Sequence, residues 1–184
     1  MVYVHLAYGF EEVEALTVVD VLRRAGIETQ TVSMTGEKIV MGTHNIPVQA
    51  DILYEEADYP SCEMIVLPGG LPGSTNLQAH EGLTAHIKCF AADETKKVAA
   101  ICAAPMAFGS CGILEGKKAT IYPGMEKHLT GAQPTGEVVT VDNDIITGMG
   151  PAWAMEFALT LVEELKGKAK ADEVASGLLY TRKA

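Results

Sequence analysis

A chain of 184 residues with 48% hydrophobic content can fill the core of one domain, residues 1–184, without a disulfide or metal staple. Its formal charge of -10, from 24 acidic against 14 basic residues, offers no basic face to nucleic acid or an anionic membrane, each of which is met with Lys and Arg. No basic leader precedes the apolar start MVYVHLA, and no apolar run approaches the roughly 20 residues that a bilayer span needs, so the expectation is a cytoplasmic protein with no membrane partner.

Strands and helices alternate from the first residue. Val2 to Tyr8 reads as a buried strand, Glu11 to Ala25 as a helix stopped by Gly26, and Ile27 to Ser33 as a second strand. Lys38 to Met41 and Ile46 to Val48 then suggest a hairpin with His44 and Asn45 in its turn, an insertion into the α/β pattern. Glu63 to Leu67 is a buried strand running into PGG, His80 to Ala92 a helix, Lys97 to Ile101 a strand, and Ala103 to Cys111 a short helix closed by Gly112. A strand near Ala119 to Ile121, paired runs Glu137 to Val141 and Ile145 to Thr147, a helix from Pro151 to Leu165 and a last helix over Ala169 to Leu178 complete the chain. Parallel strands need crossovers, so this order predicts an α/β fold with a mostly parallel central sheet and helices on both faces.

In such sheets the working groups gather where strand carboxyl ends run into helices. Three loops qualify: YGFEEVEA, LPGGLPG and ICAAP. In VAAICAAPMAFG a β-branched run passes directly into small residues, which puts Cys102 in the turn at a helix amino end, the geometry of a nucleophile elbow. Unpaired amides and the helix dipole there favour an anion and lower a thiol pKa from about 8.5 to between roughly 3.5 and 7.5. The other three cysteines, Cys62, Cys89 and Cys111, read as small buried hydrophobes, and no C-x-x-C pair is present. His86 and Cys89 fall three apart on a helix without third and fourth ligands at zinc spacing, so no metal and no cofactor is expected. The glycines of LPGG let backbone N–H groups approach an anion. Glu14 shares a helix face with Val18, Val21 and Ala25, whereas Glu12 falls almost opposite, near Arg23. An acid on an apolar stripe is desolvated, which raises its pKa and suits it to hold a proton beside sulfur.

These residues carry a resemblance. Through GFEEVEA, VDVLRRAGI, VLPGG, VAAICAAP, TGMGPAWAMEFALTLVEEL and ADEVASGLL, nearly end to end, the sequence resembles the ThiJ/PfpI superfamily and, within it, the branch of Parkinson-disease-associated protein deglycases and their bacterial homologues. The resemblance implies a flavodoxin-like three-layer sandwich, a homodimer, Cys102 as oxidisable nucleophile with Glu14 as its protonated partner, N–H groups of Gly70 and Ala103 at an oxyanion, and Gly150 and Pro151 close to the site. Departures from the pattern are informative. Glyoxalase-like members often carry His-Pro where this chain has Tyr122-Pro123; a basic residue common in the hairpin loop is His44 here, and another before Gly150-Pro151 is Met149. The peptidase-like branch places a histidine directly after the cysteine, where this chain has Ala103, so a Cys-His protease mechanism is not expected.

Two functions use the same residues. In one, Cys102 and Glu14 act slowly on small carbonyl compounds or glycated adducts, with Tyr122 in place of an imidazole; in the other, peroxide oxidises Cys102 and the protein works as a redox sensor or stress chaperone.

Overall fold

The computed structural model describes residues 1–182. Its main sheet has seven strands in the order β10-β11-β7-β6-β1-β2-β5, from β1 (Val2–Leu6), β2 (Thr29–Ser33), β5 (Ile52–Leu53), β6 (Met64–Leu67), β7 (Lys97–Ile101), β10 (Val139–Asp142) and β11 (Ile145–Gly148). Every pairing in it is parallel except β10 with β11. The buried central strands β1 and β6 present only apolar side chains and His5, as strands covered on both faces must. The remaining strands form two small ladders: the expected hairpin, β3 (Ile39–Met41) with β4 (Pro47–Gln49), and β8 (Lys118–Ala119) with β9 (Gln133–Pro134).

Helices α1 (Glu12–Arg24), α5 (Ala154–Lys166) and α6 (Lys168–Gly177) cover one face, where Val18, Leu22, Phe157 and Leu161 pack on Val4 and Ile146. Helices α2 (Gly73–Ala79), α3 (Glu81–Ala91) and α4 (Pro105–Cys111) cover the other, where Leu77, Ile87 and Phe108 pack on Ile65 and Val98. Helix α1 stops where Gly26 takes φ 69° and Ile27 N–H donates to the Leu22 carbonyl at 3.0 Å.

Several elements depart from the reading of the sequence, which also named neither β5 nor β9. The strand expected near Ala119 pairs with β9 outside the main sheet. The helix expected from Pro151 begins as a 3-10 turn, Pro151–Trp153, and becomes α-helical only at Ala154. Helix α2 has no signal in PGSTN, whose composition favours a turn; Gly73 packs so closely on the β1–α1 loop that a Cβ there would lie 2.7 Å from the Gly9 carbonyl oxygen.

One polar residue lies in the core between β1 and α3. His5 is fully buried, its Nε2 is 2.8 Å from the Tyr59 hydroxyl, and Tyr59 stacks on His86 with ring centroids 3.6 Å apart. Burial lowers the His5 pKa to about 3. The unfolded chain therefore binds one more proton than the folded chain between about pH 3 and 6.5, and stability falls as pH drops through that window. Urea midpoints should fall more steeply from pH 7 to pH 4.5 in wild type than in His5→Gln, which itself should be about 1–3 kcal/mol less stable at pH 7 for loss of a buried hydrogen bond. Parallel pH curves for the two proteins would show that His5 does not carry this sensitivity.

Candidate active site

The loops after β1, β6 and β7 meet at the carboxyl edge of three adjacent strands, the position where doubly wound sheets place their sites. Strand β7 ends at Ile101, and Cys102 turns the chain with φ 62°, a left-handed conformation that costs a non-glycine residue about 1–3 kcal/mol. Backbone bonds hold it there: Cys102 N–H donates to Gly148 O at 2.9 Å and Tyr122 N–H donates to Cys102 O at 2.8 Å. Pro105 then starts α4, where its lack of an N–H costs nothing.

Glu14 reaches this turn from the first turns of α1 and is fully buried. Its Oε2 accepts the Gly69 N–H at 2.7 Å, and its Oε1 has no nitrogen or oxygen partner among the described residues. Gly69 is the spacer between the two reactive groups, because a Cβ there would lie 2.5 Å from Cys102 Cβ and 2.6 Å from Glu14 Oε2. Gly70 takes φ 88° and approaches α1 so closely that a Cβ would sit 2.5 Å from Glu11 N.

The electrostatics correct one expectation. Burial pushes the Cys102 thiol up to about 12, the Glu14 carboxylate reinforces the shift, and the N–H groups of Gly70 and Ala103 oppose it without overcoming it. Burial likewise raises Glu14, to about 7. The reading from the helix dipole alone left out burial and the neighbouring charge. Two anions cannot share this dry space, so the pair ionises singly: a thiolate forms only where Glu14 holds the proton, and the unpartnered Oε1 is free to carry it.

An open cavity of about 450 Å³ exposes the thiol; Glu11, Thr43, His44, Gly70, Leu71, Ala103, Tyr122 and Met125 are in its wall. Thus Cys102, Gly70, Ala103, Tyr122 and His44 come together as the sequence indicated. Gly150 and Pro151 do not line this cavity; they lie beyond Tyr122 in an adjoining hollow. Glu11, Thr43, Leu71 and Met125 escaped the reading, although Thr43 precedes His44 in the hairpin turn and Leu71 follows the glycine pair.

Glu12 is a further correction. The helical wheel turned it away from Glu14, yet it is 4% exposed because the hairpin closes over it. Its Oε1 accepts the His44 N–H at 2.8 Å and its Oε2 lies 2.9 Å from His44 Nδ1. This bond and the nearby Glu11 raise the His44 pKa, so the imidazole favours its charged form. Glu11, Glu12 and His44 are also the one set of three potential metal ligands among the described residues, with ligand atoms within 4.8 Å of one another. Glu12 directs both oxygens to His44, which closes the set as a hydrogen-bonded ion pair.

Of the other cysteines, Cys62 is buried with its thiol raised to about 11, Cys111 is half-buried and Cys89, against expectation, is exposed. No helix among the described residues is long and apolar enough to cross a membrane.

A cysteine presented on such an elbow marks one class within the flavodoxin-like α/β proteins. The chain belongs to the DJ-1/PfpI family, whose pattern it matches over residues 1–164. Protein DJ-1 homolog B of Arabidopsis thaliana is 40% identical over 179 residues, which cover 97% of this chain and 41% of that protein. The chain thus spans less than half the length of this relative and of DJ-1 homolog A of the same plant, where the match covers 46%. A Pyrococcus abyssi protein named a deglycase is 29% identical over 158 residues, 83% of this chain and 93% of its own. The solved structure of oxidized Toxoplasma gondii DJ-1 superposes with a TM-score of 0.93 at 37% identity, covering 98% of each chain.

The geometry makes a direct demand on the thiol. Glu14→Gln removes the charge that opposes the thiolate and leaves an amide that can donate to it, so the Cys102 thiol should titrate at least one pH unit lower than in wild type, a tenfold gain in thiolate fraction below the midpoint. Absorbance at 240 nm against pH measures this. An unchanged midpoint would remove Glu14 from control of the sulfur.

Proposed function

We propose that the chain is a cytoplasmic, cysteine-dependent stress-response protein that acts slowly on reactive carbonyl compounds, in the manner of a glyoxalase or deglycase. The supporting observation is the thiol on a strained elbow, faced by a buried carboxyl that ionises near pH 7 and by two backbone donors. The name of the Pyrococcus abyssi relative adds weight to it.

In this reading Glu14 takes the thiol proton as sulfur bonds to the aldehyde carbon of methylglyoxal, and the carbonyl π pair moves to oxygen. The Gly70 and Ala103 amides stabilise that oxyanion until Glu14 returns the proton to it. Glu14 then carries the proton of the former aldehyde carbon to the adjacent ketone-derived carbon, through an enediol, which leaves a thioester. Water breaks the carbon–sulfur bond, giving the 2-hydroxy acid and the free thiol. The step at carbon lacks an imidazole. Tyr122 offers a phenol, a donor at neutral pH but a poor proton acceptor, and the His44 imidazole is engaged by Glu12, its Nδ1 lying 2.9 Å from Oε2. General acid–base help is worth about 10²–10⁴-fold, so turnover is slow.

Methylglyoxal consumption should therefore be measurable in wild type, absent in Cys102→Ala, and faster by about tenfold or more in Tyr122→His, with a new dependence on pH near that of imidazole. A second reading is favoured by the oxidized state of the Toxoplasma gondii homologue: peroxide takes Cys102 to sulfinate, its O–O bond breaking at each step as sulfur gains oxygen. Wild type inert toward methylglyoxal, yet modified by limiting peroxide at Cys102 ahead of Cys62, Cys89 and Cys111, would replace the enzymatic reading with this one.

We further propose a homodimer joined through α1. Val13 is 54% and Leu16 42% exposed on that helix, and Ile46 of the hairpin and Leu71 of the glycine loop are half-exposed; such an apolar set favours a partner. Sedimentation velocity at micromolar concentration should give the two-chain mass for wild type and the one-chain mass for Leu16→Glu. A one-chain wild type excludes the dimer.

A further inference from the structure

Next to the thiol cavity lies a second hollow of about 420 Å³, lined by Tyr122, Pro123, Met149, Gly150, Pro151 and Trp153. Tyr122 and Pro123 belong to the walls of both. The Tyr122 backbone is bonded to the Cys102 carbonyl at 2.8 Å, so the partition is tied to the nucleophile itself. Its ring, 47% exposed, stands over Gly150, where a Cβ would sit 3.4 Å from Cδ2 and 3.7 Å from Cε2. Glycine at 150 thus lets the ring lie close to the backbone, with an opening on each side.

The two compartments differ in chemistry. The first holds the carboxyl group of Glu11 and the imidazole of His44; the second has, among the described residues, no ionisable side chain in its wall except the dividing phenol of Tyr122. Its floor is set by Met149 N–H donating to Val138 O at 2.9 Å and by Trp153 N–H donating to Gly150 O at 2.9 Å, which fix the thioether and the indole-bearing turn on either side of Gly150. Thioether, indole and proline rings suit an aryl or alkyl group.

We propose that Tyr122 divides one cleft into a reacting compartment and an apolar subsite, and that the subsite takes the aryl or alkyl end of a carbonyl compound whose carbonyl carbon faces Cys102. This rests on the carbonyl-directed reading above and names the substrate class: 2-oxoaldehydes with an apolar substituent, ahead of methylglyoxal. Met149 and Trp153 are then residues that set specificity, and neither takes part in bond making.

The chain has a single tryptophan, Trp153, so binding in the subsite can be read without turnover. In Cys102→Ala, acetophenone should change Trp153 emission saturably while acetone does not, with N-acetyltryptophanamide as the control for collisional quenching. Met149→Lys, which keeps the fluorophore but places a charge in the hollow, should weaken that binding tenfold or more. It should also lower the ratio of kcat/KM for phenylglyoxal over methylglyoxal about tenfold, the scale on which apolar pockets discriminate. Emission that follows the free indole, or binding and ratio unmoved by Met149→Lys, overturns the subsite whatever the enzyme's activity. Saturable, Met149-dependent binding in a protein that consumes neither aldehyde upholds the subsite and removes the glyoxalase reading instead.

Discussion

Glu14 and Cys102 share a space too small and too dry for two negative charges. Burial raises both groups, and the Glu14 carboxylate raises the thiol further, so around neutral pH the pair works as one unit that holds a movable proton. Much of the surrounding structure serves that restriction. Gly69 exists as glycine because any side chain would separate the two groups, and its N–H fixes one carboxyl oxygen while the other has no nitrogen or oxygen partner among the described residues. Helix α1 delivers the carboxyl, and the turn from β7 into α4 delivers the thiol, which packs against the same core layer as α1.

How much of this was legible in the sequence follows from the range of the interactions. Strand β7 could be read residue for residue, because a β-branched run between lysines and a small-residue turn is a local signal. Glu14 could be read because three apolar residues on its own helix mark the buried face, and the elbow at Cys102 because the change from strand to helix happens within two residues. What failed depends on contacts made across the fold. Glu12 lies off the apolar stripe, yet a hairpin thirty residues on folds over it. Helix α2 forms from turn-favouring residues because its first glycine fits against the β1–α1 loop. The sign of the thiol shift was misread for the same reason: the helix dipole is local to the motif, but the burial and the opposing carboxylate arrive from elsewhere.

The wall of the cleft is equally a product of distance in sequence. His44 sits in the hairpin turn, and its backbone and ring both return to one buried carboxylate at the start of α1. Gly9 N–H to Met41 O at 2.8 Å and Thr43 N–H to Phe10 O at 2.8 Å tie the same hairpin to the first loop. An insertion that interrupts the α/β pattern is thereby built into the site as firmly as the strands. The imidazole stays hydrogen-bonded to that carboxylate, which gives the cavity a polar rim.

The left-handed backbone at Cys102 bears on how such a chain persists through descent. The strain there, about 1–3 kcal/mol, is a sizeable share of the roughly 5–15 kcal/mol that separates a folded domain from its unfolded ensemble. Glycine adopts the same backbone freely, so drift under pressure for foldedness alone would carry position 102 toward glycine and away from sulfur. Cysteine at this position is therefore held at a cost to the fold's own margin, which glycine would not incur.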